Sequence, residues 1–294
     1  MSLNLEMLQV ARLSSKLLGD SAGLVADFLR GLQNEDGGFA DRAGKSDIYY
    51  TAFGIGALLA LQQPLPVARL RSYLTGFGDG AGLDLVYLGC LGRCWSALPG
   101  AERTACPSQT ILERIEKHRT PDGGYSVEAG AQYGTVYGCF LAMGAYQDFG
   151  AQLPAPEKLL ACVQGLRCPD GGYANGAEMP IGLTPPSAAA AAILRQLGAP
   201  AEPSLSDWLL RRFHPQGGFC VSPDIAMPDL LSTATALHAL AGMQTDFNGL
   251  KEFCLDYVDT LWNARGGFHG NWEDDELDCE YTYYGLLALG HLSL

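Results

Sequence analysis

Nine residues near the C-terminus, WEDDELDCE from Trp272 to Glu280, carry six acids. Asp274, Asp275 and Asp278 stand in DDxxD order, a spacing at which carboxylate oxygens can share a hard cation such as Mg²⁺. The competing account is a solvated acidic loop capping the last inner helix, whose dipole favours carboxylates. A second group is aromatic: Tyr49, Tyr50 and Phe53; Tyr133 and Tyr137; Tyr281, Tyr283 and Tyr284. Such rings can wall a cavity for a hydrocarbon chain and stabilise positive charge through their faces. They serve equally well as bulk in a large core. A third stretch, PPSAAAAAIL from Pro185 to Leu194, has no large side chain until Ile193. Its alanines either let helices approach closely or leave room for a ligand. His214, His238 and His269 are scattered, and His269 with Cys279 matches no zinc spacing. His238 lies in an apolar run and reads as a core histidine. No nucleophile elbow, P-loop, dinucleotide fingerprint or HExxH motif occurs.

The elements that must position these groups follow from a repeated turn. NEDGGFA, TPDGGYS, CPDGGYA, HPQGGFC and NARGGFH place their first glycines at Gly37, Gly123, Gly171, Gly217 and Gly266. The intervals are 86, 48, 46 and 49 residues, so a copy is missing near residue 80, where Asp79, Gly80 and Gly82 remain. Glycine supplies the positive φ that a side chain resists, and the glycine pair, Gly124 included, is expected to adopt it. Before each turn runs an amphipathic helix; after each runs a helix apolar on nearly every face, which must be buried all round. Six exposed helices alternating with six buried ones predict two concentric rings in an all-α fold. One domain is expected over residues 1–294, with an extra helix over 1–19 and six helix pairs from about residue 20.

Composition narrows the function. The formal net charge of −13 disfavours nucleic acid as a partner. No run of 18 apolar residues lacks charges, so no membrane span is expected, and no signal-peptide pattern opens the chain. Nine cysteines, an odd number without CxxC, sit mostly in apolar runs and suggest a reducing cytoplasm.

Six helix pairs joined by GG-aromatic turns resemble the α/α toroid of the protein prenyltransferase β subunits and terpenoid cyclases, over nearly the whole chain. GGFADRAGKSDIYYTAFGIGALLAL (Gly37 to Leu61) is similar to the family's zinc-histidine repeat. MPDLLSTATALHAL (Met227 to Leu240) resembles the repeat that carries the zinc Asp and Cys. ELDCEYTYYGLLALG (Glu276 to Gly290) resembles the histidine repeat or the family's acidic repeat. In that family zinc binds Asp, Cys and His and activates a thiolate. Here Asp229 keeps the first position, Leu231 takes the second, and Tyr281 (or Tyr50) takes the third, so zinc is not expected. The D-x-D-D proton donor of toroid cyclases is also missing in register. Asp229 and Asp278 are then the candidate catalytic carboxylates. Tyr50, Phe53, Tyr133, Tyr137, Tyr281 and Tyr284 are the candidate substrate wall, and Asp274, Asp275 and Asp278 the candidate Mg²⁺ ligands.

Two readings follow. One is a zinc-free prenyltransferase-like or cyclase-like enzyme acting on a polyisoprenyl substrate, such as a diphosphate. The other is a degenerate toroid that binds a lipid or protein and catalyses nothing. The question of an α-subunit partner stays open.

Overall fold

The computed structural model describes residues 2–200 and 202–294. Their helices alternate in two rings. The inner ring is α4 (Ile48–Ala60), α6 (Leu85–Ala97), α8 (Val136–Asp148), α10 (Thr184–Gln196), α12 (Leu230–Gly242) and α14 (Cys279–Leu292). Each packs on the next, and α14 packs back on α4, so the ring closes. The outer helices are α3 (Ser21–Gly31), α5 (Val67–Thr75), α7 (Ser108–Glu116), α9 (Pro156–Gly165), α11 (Pro203–Leu210) and α13 (Lys251–Thr260). Each precedes an inner helix in the chain and lies against it. The fold is therefore an α/α toroid. Among the described residues the only strands are two two-residue hairpin ladders, Phe39–Ala40 with Ser46–Asp47 and Phe219–Cys220 with Pro228–Asp229.

The repeated turn has a physical basis in each copy. In the DGG copies, Asp36, Asp122 and Asp170 accept from the second glycine's N–H at 2.9, 3.2 and 3.0 Å. The following aromatic bridges back to the end of the outer helix in all five copies, as in Gln33 with Phe39 and Trp262 with Phe268. Phe39, Tyr125, Tyr173, Phe219 and Phe268 are all buried. Positive φ falls on the first glycine of each pair, from +89° at Gly123 to +99° at Gly37. The expectation for Gly124 is corrected, because its φ is not positive. Space is what demands glycine there: an added Cβ would lie 2.3 Å from Cys162 Sγ. The worn copy survives, with Gly80 at φ +77° and Gly82 at +83°.

Each inner helix then needs an N-cap. Asp47, Asp84, Thr135, Asp229 and Asp278 supply it, each accepting from a first-turn N–H. α10 lacks a side-chain cap, but Pro185 and Pro186 leave fewer orphan donors to satisfy. Because every inner helix follows its turn, all six N-termini face one end of the ring.

The N-terminal segment closes the other end. It forms α1 (Leu3–Ala11), a 3₁₀ turn over Arg12–Ser14 and the short α2 (Ser15–Leu18). α1 touches α4, α8 and α14, so it lies across the ring's interior. Asn4 donates to Asp148 at the end of α8 at 2.7 Å. Arg195 of α10 pairs with Glu6. The close approach of α1 to α14 explains Gly290, where a Cβ would meet the Val10 carbonyl at 2.1 Å.

Candidate functional site

The N-terminal half of the inner ring encloses a cavity of about 240 Å³. Its wall follows helical arithmetic. Tyr49, Tyr137, Pro185, Leu231 and Glu280 are each the second residue of an inner helix, and all five line it. Ala189, Thr235 and Tyr284, one turn on, form the next layer, and Ala192 and His238 the third. Met7 of α1 also lines the cavity. The alanine face of α10 thus forms a smooth wall opposite the aromatic side.

Of the residues expected in the wall, Tyr137 and Tyr284 line the cavity. Phe53 sits behind it, its ring centre 5.0 Å from Tyr49 and 5.5 Å from Tyr284. Tyr50 and Tyr281 are each one residue past the lining position, rotated about 100° around the helix. Tyr50 instead borders a shallow surface depression with Arg42 and Tyr87, and Tyr281 packs over Gly270. Tyr133 is 72% exposed on the loop before α8.

The acidic candidates are also dispersed. Asp229 caps α12 and accepts from Ser232 N–H at 2.7 Å. Burial raises its pKa. Asp278, buried, caps α14 and accepts from Tyr281 N–H at 2.8 Å. Its other oxygen accepts from Arg42 Nε at 2.8 Å, and Asp274 takes both terminal nitrogens of the same guanidinium at 3.2 and 2.8 Å. Asp274 and Asp278 do converge, but on Arg42; Asp275 is exposed. The family's zinc set does not fit these side chains. Leu231 presents no donor to the cavity, and no described group of three His, Cys, Asp or Glu side chains is placed to hold a metal.

Sequence reasoning did not single out Glu280 from its acidic stretch, and it named Tyr49 among the aromatics without placing it in the candidate wall. The Tyr49 hydroxyl donates to Glu280 Oε1 at 2.7 Å. Burial pushes the Glu280 carboxyl up to about 7, the Tyr49 hydrogen bond only partly opposing it. Glu280 is therefore a carboxylic acid poised between its two states near neutral pH, in a wall of rings and alanines. The signal was available: Glu280 shares the second helical position with Tyr49 and Tyr137, but the neighbouring acids drew attention to the loop.

Deeper in the same cavity stands His238. Its Nδ1 lies 3.0 Å from His291 Nε2, and its Nε2 lies 3.7 Å from Glu6. His291 Nδ1 is buried without a partner. The tautomer that leaves no buried N–H unpaired has His291 Nε2–H donating to His238, whose own Nε2–H faces Glu6. Burial lowers both pKa values, to about 4 for His238 and about 3 for His291, so both are neutral at pH 7.

A closed ring of helix pairs around an apolar pocket, with glycine turns at one end, is an α/α toroid. The chain belongs to the prenyltransferase alpha-alpha toroid domain family, whose profile matches residues 6–88 and 187–293, well over half of its length. Among solved structures it is similar to the type II terpene cyclase MstE from Scytonema, a variant of which was captured with geranylgeranyl dihydroxybenzoate. That match has 14% identity and a TM-score of 0.65 over 95% of this chain and 97% of the other. It is also similar to the Candida albicans protein geranylgeranyltransferase-I complexed with GGPP, at 14% identity and TM-score 0.67, covering 92% and 90% of the two chains. A protein from Actinoplanes matches at 18% identity and TM-score 0.64 over 93% and 98%. At such identities the likeness is one of fold. No curated protein sequence matches the chain. Among the described residues no helix is long and apolar enough to cross a membrane.

Proposed function

We propose that this toroid binds a polyisoprenyl chain in its central cavity and rearranges it by proton transfer at Glu280, a cyclase-like activity without the family's zinc site. The observation that carries the reading is the Glu280 carboxyl, held by Tyr49, with its pKa raised to about 7 in an apolar cavity. The ligands named for the MstE variant and the geranylgeranyltransferase both carry an isoprenoid chain, which supports the substrate class.

The chemistry follows from the side chains. When Glu280 is protonated, Tyr49 donates to Oε1 and leaves the proton on Oε2. That donation also withdraws charge and sharpens the acid. Transfer of this proton to an alkene carbon forms a C–H bond and leaves a cation on the isoprenoid. The faces of Tyr137 and Tyr284 then stabilise the positive charge as carbon–carbon bonds form. Return of a proton to the carboxylate regenerates the acid, so isomerisation or cyclisation is proton-neutral overall. The cavity volume falls just below the ~300 Å³ lower end for ligand pockets. A long isoprenoid therefore leaves part of its chain at the mouth, beside the half-exposed Tyr137.

The test is incubation with geranylgeranyl diphosphate and with geranylgeraniol in D₂O, followed by mass spectrometry of the organic extract. The expected product carries one deuterium, and Glu280→Gln forms none. Isoprenoid binding by calorimetry with no product from either protein would favour the second reading, a lipid-binding scaffold. Leu231 in the cavity wall and the commitment of Arg42 to two carboxylates support that alternative. Neither binding nor product would refute both.

A further inference from the structure

A second cavity, of about 260 Å³, lies among the C-terminal turns of α4 and α6 and the N-terminal turn of α1. It is separate from the cavity of Glu280, and Phe53 is the partition. The Phe53 ring lies 5.5 Å from Tyr284 of the first wall and 5.3 Å from the guanidinium carbon of Arg93, which lines the second.

Arg93 is the anomaly. It reaches across the ring from α6, and its guanidinium also stands over the Tyr283 ring of α14 at 5.1 Å. Two aromatic faces hold the cation, yet it forms no ion pair with any described carboxylate within 4.0 Å. The Tyr283 hydroxyl is buried and has no hydrogen-bond partner beyond the Arg93 guanidinium itself. Asp148, which also lines the cavity, accepts from Asn4 at 2.7 Å and acts on Arg93 only through its charge. A guanidinium that faces a cavity without a paired anion can offer its planar fork to an anion that enters.

The surroundings select the anion. Arg93 and Arg103 give two positive charges on the cavity wall against one from Asp148, which leaves room for a single negative charge. The positive end of α1, through Ser2 and Asn4, adds to the same sign. The rest of the wall is hydrocarbon, with Leu5, Leu8, Ile55 and Leu59. A planar fork beside an apolar wall suits a carboxylate with a short tail better than a doubly charged phosphate.

We propose that this cavity binds a small amphiphilic monocarboxylate, its carboxylate on Arg93 and its tail against Leu5, Ile55 and Leu59. The site is independent of the isoprenoid cavity and of the chemistry at Glu280.

Hexanoate is the probe, with hexanol and inorganic phosphate as controls, measured by calorimetry and thermal shift on the full chain. Wild type should bind one hexanoate and melt higher in its presence, while hexanol and phosphate give no comparable shift. Arg93→Met should weaken hexanoate about tenfold or more, because the charge-assisted bonds go with the guanidinium. Its melting temperature without ligand should stay near that of wild type, since methionine has similar reach and keeps apolar contact with the Phe53 and Tyr283 rings. Should Arg93→Met fold poorly, Arg93→Gln keeps hydrogen-bonding capacity and gives the same reading. Ala189→Phe, which fills the first cavity, should leave hexanoate binding intact. The proposal is overturned if wild type fails to bind millimolar hexanoate, if the Arg93 variants bind it equally, or if Ala189→Phe is the variant that abolishes it.

Discussion

Glu280→Gln is the most informative single change, because it should move stability and activity in opposite directions. The carboxyl titrates at about 7 in the folded protein against 4.5 for a free side chain, burial being the main cause. Between those values the unfolded chain has lost the proton and the folded chain has kept it. The unfolded state then binds fewer protons, so stability falls as pH rises, by about 1.4 kcal/mol per pH unit. A gap of about 2.5 would give about 3 kcal/mol by pH 8, and residual solvent contact trims this to ~2–3 kcal/mol. Glutamine has the same shape and no charge, so it avoids this loss.

Other groups titrate nearby, with known signs. Asp148, raised to about 6 by burial, loses stability between its free value of 3.8 and 6, in the same direction. His238 and His291, lowered to about 4 and 3, act oppositely: the unfolded chain takes up protons below 6.5 and the folded chain does not, so stability rises with pH up to 6.5. These terms are shared by wild type and variant, so the difference between their curves isolates Glu280. For a chain of 294 residues the unfolding entropy is about 0.6 kcal/mol/K, and ~2–3 kcal/mol becomes a shift of ~3–5 °C. Scanning calorimetry from pH 4 to 8.5 should show the variant melting higher by that amount at pH 8 and level with wild type at pH 4. An offset independent of pH, or none, would mean that Glu280 is solvated and ionised, and the proton-transfer proposal would go with it.

Three further outcomes are expected. Gly123→Val should cost ~1–3 kcal/mol, seen as a melting temperature lower by ~2–5 °C, because φ is +89° and the new Cβ would meet Lys158 Cβ at 2.4 Å; an unchanged melting point would refute the turn assignment. Arg42→Met should destabilise by ~1–3 kcal/mol in chemical denaturation, since it leaves Asp278 buried with only its capping bond; Asp278→Asn added to it should recover part of the loss. Calorimetric binding of geranylgeranyl diphosphate should not depend on Mg²⁺, because Arg42 already fills the space between Asp274 and Asp278; tenfold tightening by Mg²⁺ would show that the acidic loop opens to a cation.

The ring was legible in the sequence because its signal is repeated and local. A glycine pair in one turn, an aromatic after it, and a change from amphipathic to wholly apolar helix say the same thing five times, and even the worn copy at Gly80 keeps positive φ. The site was less legible because it depends on rotation about each helix, which composition does not carry. Tyr49 and Tyr50 are identical as residue types, yet about 100° of helix rotation puts Tyr49 in the cavity wall and keeps Tyr50 out of it. A common register, taken from the Asp N-caps at Asp47, Asp229 and Asp278, would have marked position two of every inner helix and so singled out Tyr49, Leu231 and Glu280 together. The contacts of α1 had no such signal. Glu6 meets α10 and α12, Asn4 meets α8, and Met7 reaches the first cavity only after the ring has closed. Those long-range meetings shape both cavities, so the residues that decide what the toroid holds are the ones a one-dimensional pattern is least able to show.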